Sequence, residues 1–247
     1  MKLPKERKEP DLTVDRDMFL IIGEPKAGKS TLASGVPDCL VIDTQGGHNK
    51  LPSMSLDLRE EARNQGKEPM DIFRASLVML KKDCPYDAVF IDTLDDISVM
   101  AEDLAVKNCN ADNTVTVKGK GIGDFAYGKG YAEHRGIVLS ILTALRALPC
   151  TVILIAHNKR MIDEDTHEVT KVLDLPGKLA HQVPGEVDHI GIASKSKKGF
   201  FLSFEGYESE RSGRKSIMQA GSRNPHLNGK VIDTSWDAIL ETAKGNG

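Results

Sequence analysis

The sequence predicts an α/β fold with a mainly parallel sheet, helices on both faces of the sheet and antiparallel hairpins toward the C-terminus. Short, continuous apolar runs such as Met18–Ile22 and Thr151–Ala156 are typical of strands buried on both faces of a parallel sheet. Segments with helical periodicity separate these runs. After residue 157, alternating segments flank turn-like sequences, which is typical of hairpins.

Length and composition favour one globular domain. The chain has 247 residues, of which 40% are hydrophobic and 28% charged, and this balance supports a sizeable buried core. The sequence has no evident linker, so we predict a charged N-terminal tail at 1–17 and a single domain at 18–247. The formal net charge of −3 gives no global attraction to a polyanion, which would need local basic patches instead.

Cysteine usage and hydropathy favour the cytoplasm. The four cysteines form no CxxC pair, as is typical of reduced thiols in a cytosolic compartment. Residues Met1–Asp17 lack the apolar core of a secretory signal, and no apolar run reaches the ~20 residues of a membrane span. We therefore expect a soluble, cytoplasmic protein with no membrane segment.

Each element follows from a local pattern. The predicted strands are Met18–Ile22, Cys39–Ile42, Ala88–Ile91 and Thr151–Ala156. The predicted helices begin at Lys29–Ser34 and continue with Met70–Lys82, Leu94–Asn108, Glu133–Ala147 and Trp236–Lys244. The predicted hairpins are Arg160–Leu173 and His189–Ser194 with Phe200–Phe204. Between the third and fourth helices we expect a glycine-rich loop over Asn110–Gly130, and long loops of this kind are generally functional or disordered.

The segment Gly23–Ser30 carries the strongest motif. It reads GEPKAGKS and fits the P-loop pattern G-x-x-x-x-G-K-[ST], with an apolar strand before it and a helix after it. Backbone amides of such a loop cradle phosphates, the lysine neutralises the β- and γ-phosphates, and the serine binds magnesium. We therefore predict a site for ATP and Mg²⁺ formed by Gly23, Glu24, Pro25, Lys26, Ala27, Gly28, Lys29, Ser30 and Thr31.

An apolar strand ending in Asp92 supplies the second element of this site. The run YDAVFID ends in a carboxylate that would hold the magnesium ion together with Ser30. Asp95 and Asp96 follow closely, and we interpret them as solvated carboxylates at a helix start. The alternative is that either of them assists Asp92.

His157 ends the TVILIA strand, where ligand groups of open α/β sheets gather. A polar side chain there can sense the γ-phosphate and affect the loop that follows. A histidine that merely caps the strand is the alternative.

The glycine-rich loop is also basic and aromatic. Lys118, Lys120 and Lys129, followed by Arg135, could contact phosphates of a nucleic acid. Phe125, Tyr127 and Tyr131 are interleaved with them, and aromatic rings stack on single-stranded bases. The alternative is a solvated loop whose aromatic side chains pack in the core.

Several segments, in this order, resemble one family. The segments GEPKAGKS, VIDTQGG, YDAVFIDTLDD, DFAYGKGYAEHRG, VILIAHNKR and AGSRNPHL are similar to those of phage-encoded short RecA-like P-loop ATPases that act as single-strand annealing recombinases. The resemblance covers Met18–Trp236. The P-loop itself is generic, whereas the GKGY segment together with AHNK is more discriminating.

The resemblance implies a RecA-like core that assembles on single-stranded DNA and uses ATP to regulate binding and annealing in recombination. It implies a homo-oligomer with nucleotide between protomers, where Arg223 would reach the neighbour's γ-phosphate. His157 would match the γ-phosphate sensor. The loop at 118–130 and the segment from Lys159 and Arg160 to Gly177 would match the DNA-facing loops. A single-strand binding protein is a further candidate partner, and the compartment would be the host cytoplasm.

One position departs from the RecA pattern. RecA-type enzymes place a catalytic glutamate after the second strand, and Gln45 stands there in this chain. An amide can orient a water molecule but cannot act as a base. A nucleotide switch or scaffold that hydrolyses ATP slowly or not at all therefore stays open as an alternative. A small-molecule kinase is disfavoured because the central loop has no arginine cluster, and a replicative helicase because the chain has no room for a loader or primase domain.

We predict slow intrinsic ATP hydrolysis beside normal ATP binding, and faster turnover in Gln45→Glu because a carboxylate can accept a proton from water. Steady-state phosphate release by the purified proteins, without DNA, measures both. Rapid hydrolysis by the wild type would contradict the first expectation. An unchanged or lower rate in Gln45→Glu would mean that another group positions the water.

Overall fold

A computed structural model describes residues 11–47, 52–115, 118–162, 169–211 and 214–245. The strands are β1 (Met18–Gly23), β2 (Cys39–Asp43), β3 (Met54–Asp57), β4 (Ala88–Asp92), β5 (Thr151–Ala156), β6 (Asn158–Ile162), β7 (Val169–Leu173), β8 (His189–Ser196), β9 (Gly199–Ser203), β10 (Tyr207–Arg211), β11 (Arg214–Met218), β12 (Gly221–Ser222) and β13 (Val231–Asp233).

The helices are α1 (Lys29–Ser34), α2 (Leu58–Gln65), α3 (Pro69–Lys82), α4 (Leu94–Ala111), α5 (Lys129–Arg146), α6 (Leu179–Gln182) and α7 (Trp236–Ala243). Short 3₁₀ turns lie at Ile122–Asp124, Ala126–Gly128 and Val183–Glu186. Within the described ranges, none of these helices is both long and apolar enough to cross a membrane.

One mixed sheet organises the chain, in the order β13-β9-β8-β1-β5-β4-β2-β3, with β12 also paired to β8. The six strands from β8 to β3 in this order run parallel, and β9, β12 and β13 run antiparallel to their neighbours. The predicted α/β class, with a mainly parallel sheet and antiparallel strands late in the chain, is confirmed.

Alternation along the central strands divides the core into two layers. In β1, Met18, Leu20 and Ile22 pack with α2 to α5, whereas Phe19 and Ile21 pack with α1 and α7. Both sets are buried, which explains why the strand reads as a continuous apolar run. Helices therefore cover both faces of the sheet, as predicted.

The main differences from the predicted elements lie in the central part of the chain. Strand β3 and helix α2 were not predicted, because Met54–Asp57 is short and half exposed. The predicted loop over Asn110–Gly130 is shorter than expected, since α4 extends to Ala111 and α5 begins at Lys129. His189–Ser194 was predicted only as a hairpin strand, but β8 also pairs parallel with β1 in the main sheet.

Part of the predicted tail belongs to the domain. Val14 is only 2% exposed and packs in the core layer that contains α1. The backbone NH of Arg16 donates to Thr151 Oγ1 at 3.1 Å, and the Asp17 carbonyl accepts from the backbone NH of Val152 at 3.0 Å. The predicted domain boundary at residue 18 is therefore too late, and the rest of the tail, 1–10, lies outside the described residues.

Two small antiparallel sheets stand apart from the main sheet. Strands β6 and β7 form the hairpin that was predicted over Arg160–Leu173, with Asn158 opposite Leu173. Its predicted turn at 163–166 lies outside the described residues. The second pair, β10 and β11, was not predicted.

We predict opposite effects of alanine at two glycines of α5. A Cβ on Gly130 would overlap the backbone carbonyl of Ile122, whereas a Cβ on Gly136 meets nothing within 4 Å. Gly130→Ala should lower the free energy of unfolding by about 1–3 kcal/mol through overpacking. Gly136→Ala, the matched control, should raise it by about 0.5–1 kcal/mol through helix propensity. Urea denaturation measures both, and equal effects would contradict the close packing of α5 on the turn at Ile122.

Candidate nucleotide-binding site

The P-loop connects β1 directly to α1 at the carboxyl edge of the sheet. Lys26 has φ 64° and Gly28 has φ 88°, so two residues of the loop adopt the left-handed backbone conformation before α1 begins. A Cβ on Gly28 would also lie 2.9 Å from Cδ1 of Phe200. Glycine at this position is therefore required both by the backbone conformation and by the neighbouring ring.

Lys29 carries a buried cation at the start of α1. The residue is 5% exposed, and its Nζ donates to the carbonyls of Gly23 at 2.8 Å and Glu24 at 2.9 Å. Burial lowers the pKa of Lys29, and the negative charges of Asp92, Asp95 and Glu24 oppose this effect. An anionic phosphate entering the loop would stabilise the charged form in the same way.

Ser30 and Asp92 meet across the edge of the sheet. The hydroxyl of Ser30 donates to Asp92 Oδ2 at 2.6 Å. A hydroxyl and a carboxylate oxygen are hard oxygen ligands, which Mg²⁺ prefers, and both end in the same cavity as Lys29. The residues present thus fit a magnesium ion held between Ser30 and Asp92, directly or through water.

The segment after β2 is held by two carboxylates. The buried Asp43 accepts from the backbone NH groups of Gln45 at 2.9 Å and Gly46 at 2.8 Å. The Gln45 amide Nε2 donates to Asp96 Oδ2 at 2.7 Å, and Thr44 Oγ1 lies 2.7 Å from the same oxygen. Gln45 therefore reaches the cavity with its side chain already fixed by Asp96. A glutamate at this position would lose the hydrogen bond and be repelled by Asp96, so this contact opposes the faster turnover that the sequence predicts for Gln45→Glu.

His157 and Asp95 form a pair on the other side of the cavity. The His157 Nδ1 lies 2.7 Å from Asp95 Oδ2, and its backbone NH donates to both carboxylate oxygens at 3.0–3.1 Å. Burial raises the pKa of Asp95 above its ordinary value, while the hydrogen bonds and charge of His157 oppose that rise.

Asp95 and Asp96 lie in the first turn of α4, as predicted, but they are partly buried and hydrogen-bonded and are not solvated. Asp95 fixes His157, and Asp96 fixes Gln45 and Thr44. The signal in the sequence was the spacing T-x-x-D, because Thr93 caps α4 and accepts from the Asp96 backbone NH at 3.3 Å. That spacing places Asp96 at the helix start but does not reveal which loop lies opposite.

Most of the predicted nucleotide-contacting residues meet in one cavity of about 260 Å³. Its lining includes Pro25, Lys26, Gly28, Lys29, Ser30, Thr31, Asp43, Gln45, Gly47, Asp92, Thr93 and His157. Glu24 and Ala27 instead line a neighbouring cavity on the β8 side of the loop. Of the predicted P-loop residues, Gly23 lines neither cavity, although its carbonyl accepts a hydrogen bond from Lys29.

Arg223 lies at the opposite edge of the sheet. Its Nη1 is 2.8 Å from Asp188 Oδ1, and Asp188 Oδ2 accepts from the backbone NH of Met18, the first residue of β1. The six residues of β1 separate that edge from the P-loop, or roughly 20 Å at the usual rise per residue. Arg223 therefore cannot reach the nucleotide site of its own chain.

Some of the predicted DNA-binding residues have internal partners in the structure and others do not. Lys118 Nζ donates to the Asn110 carbonyl and Lys129 Nζ pairs with Asp112, so both cations are held by residues of α4 and its C-terminal turn. Lys120 is exposed, and Arg135 lies on α5 and lines a separate cavity. Lys159 pairs with Asp174 at 3.1 Å. Arg160 lies in β6, but its side chain is outside the described part of the chain.

The fold and the site together define a RecA-like P-loop nucleotide-binding protein. A family model described as an AAA domain matches residues 16–226, which is most of the chain. The protein belongs to this family, and P-loop ATPases of this kind generally use ATP and Mg²⁺. No curated protein sequence matches the chain significantly.

Two solved structures are similar to the chain at low sequence identity. One is a KaiC-like protein from the hyperthermophilic archaeon Pyrococcus horikoshii OT3, with 13% identity over 88% of this chain and 84% of that chain, and a TM-score of 0.44. The other is a prototypical ATPase from the type III secretion system of pathogenic bacteria, with 14% identity over 73% of this chain and a TM-score of 0.40. The match spans about half, 53%, of that second chain. Both TM-scores are below 0.5, and neither likeness carries an argument about this chain.

We predict that Lys29→Ala weakens ATP binding by roughly 10- to 150-fold. The substitution removes a buried ammonium whose charge-assisted hydrogen bonds are each worth about 1.5–3 kcal/mol. Isothermal titration with ATP and Mg²⁺ measures the change. Lys82→Ala, an exposed lysine at the far end of α3, is the matched control and should bind like the wild type. Unchanged affinity in Lys29→Ala would mean that nucleotide binds elsewhere.

Proposed function

We propose that this protein is a DNA-dependent ATPase that binds single-stranded DNA and uses ATP to control annealing during recombination. The observation that carries the proposal is the position of a basic, aromatic cavity at the same edge of the sheet as the P-loop. The chain leads from His157, which lines the P-loop cavity, to Pro176–Leu179, which line the second cavity.

The DNA cavity has a volume of about 390 Å³ and lies between the start of α5 and the segment before α6. Tyr127 is fully exposed and Tyr131 is 45% exposed, although both are large aromatic residues. Exposed tyrosines can stack on the bases of a single strand. Phe125 differs from them because it is 4% exposed, so its ring belongs to the core and not to this surface.

Cations accompany the two tyrosines. Arg135 and Lys178 line the same cavity, and neither forms an ion pair within the described ranges of the chain. They can therefore meet phosphates without first breaking an internal pair. This local patch offsets the net negative charge of the chain, as binding of a polyanion requires.

A short series of contacts joins the nucleotide site to the DNA cavity. The His157 carbonyl accepts from the backbone NH of Asp174 at 3.0 Å. Lys159 Nζ donates to the Leu175 carbonyl at 3.2 Å, and Pro176 and Gly177 line the DNA cavity. A movement of His157 in response to the γ-phosphate would therefore shift one wall of the DNA cavity.

The residues of the P-loop site support hydrolysis of ATP in this framework. Water would attack the γ-phosphorus, and the bond to the β–γ bridging oxygen would break with its electron pair staying on ADP. Both protons of the water would leave with the phosphate as H₂PO₄⁻. Lys29 neutralises charge on the β- and γ-phosphates, and Gln45, held by Asp96, orients the water. Bound magnesium supplies further neutralisation of the phosphate oxygens. Since Gln45 cannot accept a proton, we propose slow turnover that DNA accelerates.

A homo-oligomer completes the proposal. Arg223 lies at the edge of the sheet opposite its own P-loop. It could therefore contact a bound nucleotide only in the P-loop site of a neighbouring protomer. Its exposed side chain, paired with Asp188, is accessible for such a contact. A single-strand binding protein is proposed as a further partner on the strength of the family resemblance.

The deciding experiment is ATP hydrolysis by the wild type and Lys29→Ala, with and without single-stranded DNA. We expect stimulation by DNA in the wild type and its loss in Lys29→Ala. Nucleotide binding without any effect of DNA would favour the alternative function, a nucleotide switch or scaffold, which the hydrogen-bonded Gln45 amide also suits.

We predict that Tyr131→Ala weakens binding to an oligothymidine by about 5- to 150-fold, since one base stack is worth about 1–3 kcal/mol. Tyr131→Phe, the matched control, keeps the ring and should bind like the wild type. Fluorescence anisotropy with a labelled strand measures both.

Arg135→Ala should reduce the slope of log K against log salt by about 0.7, because one phosphate contact is lost. The same anisotropy titration, repeated over a range of salt concentrations, gives this slope. An unchanged slope would place the phosphate contacts away from Arg135.

A further inference from the structure

An exposed aromatic ring lies directly against the P-loop. Phe200, the second residue of β9, is 39% exposed and sits over Gly28, with its Cδ1 and Cγ 2.9 and 3.0 Å from the position of a Cβ on that glycine. In the central strands β1, β4 and β5 every apolar residue is buried, whereas this large ring beside the ligand site is not.

The order of the strands determines which end of a nucleotide would approach this ring. Asp92 is the last residue of β4 and His157 follows β5, and both strands lie on one side of β1. The γ-phosphate belongs on that side, next to the Ser30–Asp92 pair. The nucleoside end must therefore leave the P-loop toward the other side of β1, where β8 and β9 lie.

The hairpin formed by β8 and β9 extends beyond the end of β1. Gly23, the last residue of β1, pairs with Ala193, so the rest of β8 projects past the carboxyl edge. Phe200 pairs with Lys195 in this projecting part. The tip of the hairpin is thus beside the P-loop, at the height where a bound nucleotide would lie.

The chemistry of the hairpin suits a nucleoside. Lys195 Nζ lies 5.2 Å from the centre of the Phe200 ring, and Lys197 and Lys198 are exposed at the tip. Lys195 also lines a cavity of about 460 Å³ with Pro25, Lys26 and Ala27. Phe200 is not among the residues that line this cavity, and its ring borders the P-loop at Gly28 instead. An aromatic face with nearby ammonium groups can stack a base and neutralise an α-phosphate.

We propose that the nucleobase of the bound nucleotide stacks on Phe200, with Lys195 beside it, so that the β8–β9 hairpin is the base-binding element of the site. This inference rests on nucleotide binding at the P-loop. It does not depend on binding of DNA.

A ligand without a base separates this role from mere support of the P-loop. Isothermal titration with ATP and with inorganic tripolyphosphate, both with Mg²⁺, should be made on the wild type, Phe200→Ala, Phe200→Tyr and Phe201→Ala. The last is a matched control because Phe201 points to the other face of the same hairpin. We expect Phe200→Ala to weaken ATP binding by about 5- to 150-fold and to leave tripolyphosphate binding within about twofold. Phe200→Tyr and Phe201→Ala should bind both ligands like the wild type.

An equal loss for both ligands in Phe200→Ala would overturn the inference, because the ring would then only support the P-loop. An unchanged affinity for ATP would overturn it as well. Phe200→Trp gives a second readout, since ATP should quench the indole fluorescence and tripolyphosphate should not. If single-stranded DNA does not stimulate ATP hydrolysis by the wild type, the proposed function fails, but the interpretation of these titrations does not change.

Discussion

The parallel register of β1, β5, β4 and β2 is the constraint on which the rest of the structure depends. Ile22 pairs with Ala156 and Asp43 pairs with Asp92, so four strands end at the same height. The loops that follow them must therefore share one edge. The P-loop, Asp92, Gln45 and His157, which we propose bind phosphate and magnesium, orient water and sense the γ-phosphate, therefore converge at that edge.

Keeping several charges in this half-buried edge requires that each has partners. Lys29 is stabilised by two carbonyls and nearby carboxylates, Asp95 by His157, and Asp96 by Gln45 and Thr44. Burial of unpaired charge would cost several kcal/mol, so the hydrogen bonds are a condition of the fold as much as of the chemistry. The same bonds hold the side chains in place before a ligand arrives, which reduces the reorganisation needed for catalysis.

The proposed DNA cavity and the proposed base-binding hairpin lie on opposite sides of this edge. The DNA cavity is linked to the end of β5 by His157, where the γ-phosphate would be sensed. The hairpin begins with β8, on the side where the nucleoside would leave the P-loop. The two ends of one nucleotide would thus contact different elements. Loss of the γ-phosphate would end its contact with His157 and so weaken DNA binding, while the hairpin still holds ADP. Control of DNA binding by the nucleotide requires such a difference between the two states.

The sequence by itself determined the buried parallel strands, the P-loop and Asp92, because each depends on a local pattern of apolar runs, glycines and strand-end polar residues. The tertiary structure alone decided the pairing of His157 with Asp95, 62 positions apart, and of Gln45 with Asp96. It also separated the buried Phe125 from the exposed Tyr131, which look alike in the sequence. Such contacts depend on how distant segments pack, and on the burial that results, and local periodicity carries no information about either.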